Sequence, residues 1–212
     1  MRKTLFKSLS LVGFLVMFIA PTQVFAVNGK QLYNDKLCSG CHGKDGKTSS
    51  PQFPHLAGQN QQYLENQFKA IVSGKRKLGS SVLMKNHPKL QNFKEGDIQA
   101  ITNYLSTLPR AIQTTKAAPS AIAAGEKVYA KIGCKQCHGV AGKGMPAGSP
   151  KKYNAYPKLN GQHAIYIYSQ LEHILAGTRV NDNAGIMLKQ LKKAKLSKAD
   201  LKSLAAYLSA QN

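Results

Sequence analysis

The chain has four cysteines, and each lies in a short segment that ends in histidine: Cys38-Ser39-Gly40-Cys41-His42 and Cys134-Lys135-Gln136-Cys137-His138. Two thiols three positions apart on a helical turn can each form a thioether with one vinyl group of the same haem. The next residue then presents its imidazole to the iron. C-x-x-C-H is the pattern of covalent c-type attachment. A lone C-x-x-C also suits a redox dithiol or half a zinc site. A zinc site built from both pairs would have to join distant parts of the chain and would leave both histidines without a role. The residues therefore predict two covalent haem c groups, on Cys38 and Cys41 and on Cys134 and Cys137, with His42 and His138 as axial iron ligands.

What stands opposite each histidine decides between carriage and catalysis. A methionine sulfur fills the sixth position and raises the potential, whereas an open position admits ligand or peroxide chemistry. Beyond residue 26 the methionines are Met84, Met145 and Met187. Met145 falls just after His138, on the wrong side to reach the distal face. Met84 and Met187 occupy matching places in a repeat, each after a Gly-x-Arg and a polar loop, and are predicted as the distal ligands. His87, close behind Met84, is a competitor in the first half, beside its reading as a solvated loop residue. His55, His163 and His173 have no histidine counterpart in the other half and are expected at the surface.

The elements that must position these residues come in duplicate. Gly29 and Tyr33 precede the first motif as Gly125 and Tyr129 precede the second. After the motifs, Pro54-x-Leu56-x-Gly58-Gln59 matches Pro157-x-Leu159-x-Gly161-Gln162. Tyr63, Gln67, Gly74, Arg76 and Tyr104 match Tyr166, Gln170, Gly177, Arg179 and Tyr207. The offset changes because the second half carries an insertion within 142–156, rich in Gly, Pro and Lys and read as a surface loop. Leu64, Phe68, Ile71 and Val72, with Ile167, Leu171, Ile174 and Leu175, have amphipathic-helix spacing. So do Ile98, Ile101, Leu105 and Leu108, matched by Leu201, Leu204 and Leu208. Ser197-x-x-Asp200 is a helix-start signal, a short helix precedes each C-x-x-C-H, and no stretch alternates as a strand. The expected fold is all-α, with tandem domains at 27–112 and 113–212 joined by a linker over 109–121. Three helices and long loops make a thin core, which a large apolar disc would complete.

Residues 1–26 combine Arg2, Lys3 and Lys7, an apolar run from Leu9 to Ala20 and small residues near Ala26, the parts of a secretory signal peptide. The run is short for a membrane span, which needs about 20 residues. The formal charge is +21, and removing the three basic residues of the signal leaves +18 on the remainder. Such a charge favours acidic partners or an anionic membrane surface. Export and the scatter of lysines argue against nucleic acid.

At this point the sequence resembles the di-haem cytochromes c of the cytochrome c4 type, across essentially all of 27–212. The resemblance is carried by C-x-x-C-H followed by Gly43 or Gly139, Pro-x-Leu-x-Gly-Gln, Gly-x-Arg, the methionine, and the closing helix at Asp97-Ile98 or Asp200-Leu201. Residues 177–182 follow the family's segment before the methionine. The first half departs there, with Lys77-Leu78-Gly79. The resemblance implies two class I cytochrome c domains about a pseudo-twofold axis, with haem propionates near their interface. It implies that the carbonyls of Pro54 and Pro157 accept from His42 and His138, and that Arg76 and Arg179 reach propionates as an alternative to being solvated. It also implies a periplasmic electron carrier rather than an enzyme, working between a membrane-bound quinol-oxidising complex and a terminal oxidase or reductase. An electron-accepting subunit of a dehydrogenase, or a di-haem enzyme with one open haem, is the alternative.

Overall fold

The computed structural model describes residues 27–90, 92–113 and 117–212, and the predicted signal segment lies outside the described residues. The described elements are helices and 3₁₀ turns. The first domain contains α1 (Gly29–Asp35), α2 (Ser39–His42), α3 (Gln61–Val72), α4 (Ser81–Lys85) and α5 (Glu95–Thr107). The second contains α6 (Pro119–Ile132), α7 (Lys135–His138), α8 (Ala164–Leu175), α9 (Ala184–Ala194) and α10 (Lys198–Ser209).

The periodic stripes become the cores. Leu64, Phe68, Ile71, Ile98, Ile101 and Leu105 are buried in the first domain, as are Ile167, Leu171, Ile174, Leu201, Leu204 and Leu208 in the second. The predicted start of α10 forms a reciprocal cap. The Asp200 amide donates to Ser197 Oγ at 3.1 Å, and the Ser197 amide donates to Asp200 Oδ2 at 2.9 Å.

Three features depart from the sequence reading. Each domain has a further helix, α4 or α9, where a polar loop was expected. In α9 the signal was present, since Ala184, Met187, Leu188 and Leu191 share one face and pack on the core. α6 starts at Pro119, inside the expected linker, because proline is well suited to a first helical position. The insertion in the second domain is also more than a surface loop. Its 3₁₀ turn, Lys151–Ala155, packs against α3 of the first domain.

In both domains the first and last helices cross at a glycine. A Cβ on Gly29 would lie 2.0 Å from the Ala100 carbonyl oxygen, and one on Gly125 would lie 2.0 Å from that of Ser203. This contact sets the angle at which α1 meets α5 and α6 meets α10, and so where the motifs emerge. Gly125→Ala is expected to force α6 off α10 and cost about 1–3 kcal/mol or more, as overpacking does. The check is the denaturant midpoint of the haem-loaded protein, and an unchanged midpoint would show that the crossing yields freely.

Candidate functional site

Each C-x-x-C-H segment is a single helical turn, with the histidine amide bonded to the carbonyl of the first cysteine at 2.9 Å for His42 and 3.0 Å for His138. The turn is tied to the preceding helix by a buried tyrosine. Tyr33 Oη donates to the Gly43 carbonyl at 2.7 Å, and Tyr129 Oη to that of Gly139 at 2.6 Å. The repeated Gly and Tyr before each motif thus have distinct roles, one permitting the helix crossing and the other holding the turn.

Both histidines are buried. His42 Nδ1 lies 3.1 Å from the Pro54 carbonyl oxygen, and His138 Nδ1 lies 2.8 Å from that of Pro157. A carbonyl only accepts, so Nδ1 carries the proton. Burial holds each imidazole below its ordinary pKa, against the opposing pull of the proline carbonyl. The neutral Nδ1–H tautomer leaves Nε2 as a lone-pair donor, the form needed to bind a metal. An aromatic ring braces each imidazole edge-on, Phe53 against His42 and Tyr156 against His138, both at 6.2 Å between centroids. Sequence reasoning missed these two, although both are aromatic residues immediately before the matched prolines.

The proline loop is itself pinned. Leu56 and Leu159 amides donate to the Gly46 and Gly142 carbonyls in the turns after the motifs, while Gly58 and Gly161 amides donate to Leu105 and Leu208 at the ends of α5 and α10. The motif, proline loop and last helix of each domain therefore form one hydrogen-bonded unit.

The four cysteines form no disulfide. Burial pushes the Cys38 and Cys134 thiols up to about 11. All four line one apolar cavity that runs through both domains, together with His42, His138, Met84 and Met187. Met84 sits in α4 among Phe68, Leu90 and Ile98, and Met187 sits in α9. Met145 is not among the lining residues, whereas His87 is, at the place that Gln190 takes in the second domain.

The reading of Arg76 and Arg179 as solvated is overturned, since they are only 6% and 8% exposed. They interlock the domains reciprocally. Arg76 donates to its own Gln67 and to Tyr166 and Gln170 across the interface, at 2.8–3.0 Å. Arg179 donates to its own Gln170 and to Tyr63 and Gln67, at 2.9–3.2 Å.

The family model for cytochrome c matches twice, over residues 26–109 and 122–212. The chain is 33% identical to cytochrome c4 of Azotobacter vinelandii, over 81% of this chain and 83% of that protein. The chain belongs to the cytochrome c family, in its di-haem cytochrome c4 branch. The crystal structure of reduced recombinant cytochrome c4 from Pseudomonas stutzeri superposes with a TM-score of 0.69 at 30% identity, over 87% of this chain and 97% of that one. A thiosulfate dehydrogenase electron acceptor from Stutzerimonas stutzeri (strain A1501) is 29% identical, over 78% of each protein. The chain is thus a di-haem electron-transfer cytochrome with two covalent haem c groups.

The residues present fit such groups. The cavity offers a buried neutral imidazole and a thioether in each domain, with apolar walls between. The Nε atoms of Arg76 and Arg179 line the same region, buried and without a protein partner, and would be satisfied by carboxylates such as propionates.

His55 and His163 correct the sequence reading in another way. They are 6% and 3% exposed, stacked across the domain interface with centroids 4.1 Å apart, while His173 is half-buried. Pairing did not show in the repeat because the two residues occupy different repeat positions. His55 Nδ1 accepts from the Thr48 amide, and His163 Nε2 donates to the Thr48 carbonyl. Burial, then the facing His163, Arg110 and Lys47, pushes His55 down to about 4. Burial lowers His163 as well, against its bond to Thr48. An imidazole in the unfolded chain titrates at about 6.5. As pH falls from there towards about 4, the unfolded chain takes up protons that the native pair refuses. The pair's contribution to stability is complete above this window and is lost on descending through it. Urea midpoints at about pH 7 and pH 5 are expected to differ less in His55→Gln than in the parent. An equally steep fall in the variant would assign the effect to other groups.

Proposed function

We propose that this chain is a periplasmic electron carrier, not an enzyme, that moves electrons between membrane-bound respiratory complexes. Its donor would be a quinol-oxidising complex and its acceptor a terminal oxidase or reductase. The observation that carries this reading is that each domain turns both a buried imidazole and a methionine onto the same cavity, so that neither iron would have an open position.

In this reading Cys38 and Cys41, and Cys134 and Cys137, would hold the haems through thioethers. His42 and Met84, and His138 and Met187, would supply the nitrogen and sulfur that bind each iron. When bound, each haem supplies an iron that cycles between two oxidation states. The chain does the rest. Pro54 and Pro157 fix the imidazole rings and their tautomer. Phe53 and Tyr156 keep the rings from tilting, and the apolar walls exclude water. The Nε groups of Arg76 and Arg179 would receive propionates.

The exterior supports docking to acidic proteins. Lys189, Lys192, Lys193, Lys195, Lys198 and Lys202 are all exposed along α9 and the start of α10. Leu37 and Leu83 are exposed at the cavity's edge in the first domain, and Ile186 in the second, giving apolar contact close to the haems. Contact with an anionic membrane surface would use the same charge, and no nucleic-acid role is invoked. Among the described residues, no helix is long and apolar enough to cross a membrane. Export would use the predicted signal at residues 1–26.

A second reading is favoured by one observation: proteins named as electron acceptors of thiosulfate dehydrogenase are similar over most of this chain. The same edges could then serve a dehydrogenase as a fixed partner.

Two measurements test the carrier reading. The weak far-red band of methionine sulfur on ferric iron is expected at an intensity of two ligands per protein, and to fall by about half in Met84→Ala and in Met187→Ala. A parent with half the band, unaffected by Met84→Ala, would assign the first domain's distal position to His87 or leave it open. Oxidation by an acidic partner is expected to slow steeply with salt, and salt-independent rates would defeat the steering role of the lysines.

A further inference from the structure

The prolines that accept from the buried imidazoles do not stand alone. The carbonyl of Pro54 and the amide N–H of His55 belong to one peptide group. That N–H donates to Oε1 of Gln162, a residue of the other domain, at 2.9 Å. Across the pseudo-twofold the arrangement recurs. The carbonyl of Pro157 and the N–H of Lys158 share a peptide, and that N–H donates to Oε1 of Gln59 at 2.7 Å. Each glutamine also donates back from Nε2 to the carbonyl of the same residue, His55 or Lys158, at 2.9 Å in both cases. Both glutamines are buried, 4% exposed for Gln59 and 6% for Gln162. Their Oε1 atoms also accept the amides of Asn60 and His163, which holds the carboxamides in this orientation.

We propose that Gln59 and Gln162 are positioning residues that act crosswise, each tuning the iron of the opposite domain through a three-member hydrogen-bond chain. The chain runs from the imidazole Nδ1–H to the proline carbonyl, through the peptide, and from its N–H to the glutamine oxygen of the other domain. Hydrogen bonds in series polarise one another. An amide whose N–H is engaged has a more negative carbonyl oxygen, so Gln162 strengthens the bond that His42 donates, and Gln59 strengthens that of His138. A stronger bond at Nδ1 makes the imidazole a more basic ligand and favours the oxidised iron. The inter-domain contact is thus wired into both ligand fields, and any partner that loosens the interface would raise both potentials together. A glutamine that served only to hold the domains together would not discriminate between the two haems.

The inference rests on His42 and His138 being the axial histidines. The test is a redox titration of the haem-loaded Gln162→Ala and Gln59→Ala proteins. Each haem is assigned to its domain by nuclear magnetic resonance, and the Nδ1–H resonances of His42 and His138 are followed. Gln162→Ala is expected to raise the midpoint potential of the first-domain haem and move the His42 Nδ1–H resonance upfield, leaving the second-domain haem at its parent value. Gln59→Ala is expected to do the reverse. Gln162→Glu keeps an acceptor on the His55 amide and is expected to hold the first-domain potential at or below the parent value. Gln→Met replaces Gln→Ala where the smaller side chain prevents maturation with two haems. Shifts confined to the glutamine's own domain, equal in both domains, or absent overturn the proposal. A parent spectrum in which neither imidazole shows ligand-shifted resonances instead defeats the axial assignment beneath it.

Discussion

Each domain hangs on a hydrogen bond between a buried imidazole and a proline carbonyl. The bond selects the Nδ1–H tautomer, leaves Nε2 unprotonated with its lone pair free to bind a metal, and fixes the plane of the ring. It survives only if the proline loop is held in place. The loop is pinned to the turn after the motif and to the end of the last helix, while that helix crosses the first one at a glycine. The last helix, the first helix and the loop are thus all in service of one contact of about the length of an ordinary hydrogen bond.

The two domains meet across a face that is polar rather than apolar. Arginine, glutamine and tyrosine side chains are exchanged in pairs. Arg110 adds bonds to the Ala57, Lys158 and Asn160 carbonyls from the segment that leaves the first domain. Buried polar groups are costly unless nearly all are partnered, which makes such a face specific in geometry. The stacked pair of His55 and His163 belongs to the same face, and burial keeps it uncharged in a protein that is otherwise strongly basic. The exterior is organised on the opposite principle. Lysines stand exposed along α9 and the start of α10, and a few apolar side chains are exposed at the cavity's edges.

The sequence alone determined the chemistry that is bonded locally. The thiols and the imidazole lie within five residues of each other, so C-x-x-C-H could be read as a haem-attachment pattern, and the family match supports the expectation of two covalent haem c groups. The all-helical fold was legible for the same reason, because an apolar stripe repeats every three or four residues. The helix of Met84 was not legible, since a five-residue element has too few positions to display a period. That of Met187 was obscured by the polar residues before it.

What only the tertiary structure decided are the contacts between residues about a hundred positions apart. Arg76 and Arg179 had the right partners in view, as Gln67, Gln170, Tyr63 and Tyr166 were all recognised as repeats. Repetition, however, does not say whether a residue meets its own copy or the other domain's. Burial of His55 and His163 depends on two loops meeting across the interface, and neither loop carries a periodic signal. The same holds for the glutamines of Pro-x-Leu-x-Gly-Gln. Their place in the motif was plain, but their grip on the opposite domain's peptide requires the pseudo-twofold packing, a relation between surfaces that no local pattern encodes.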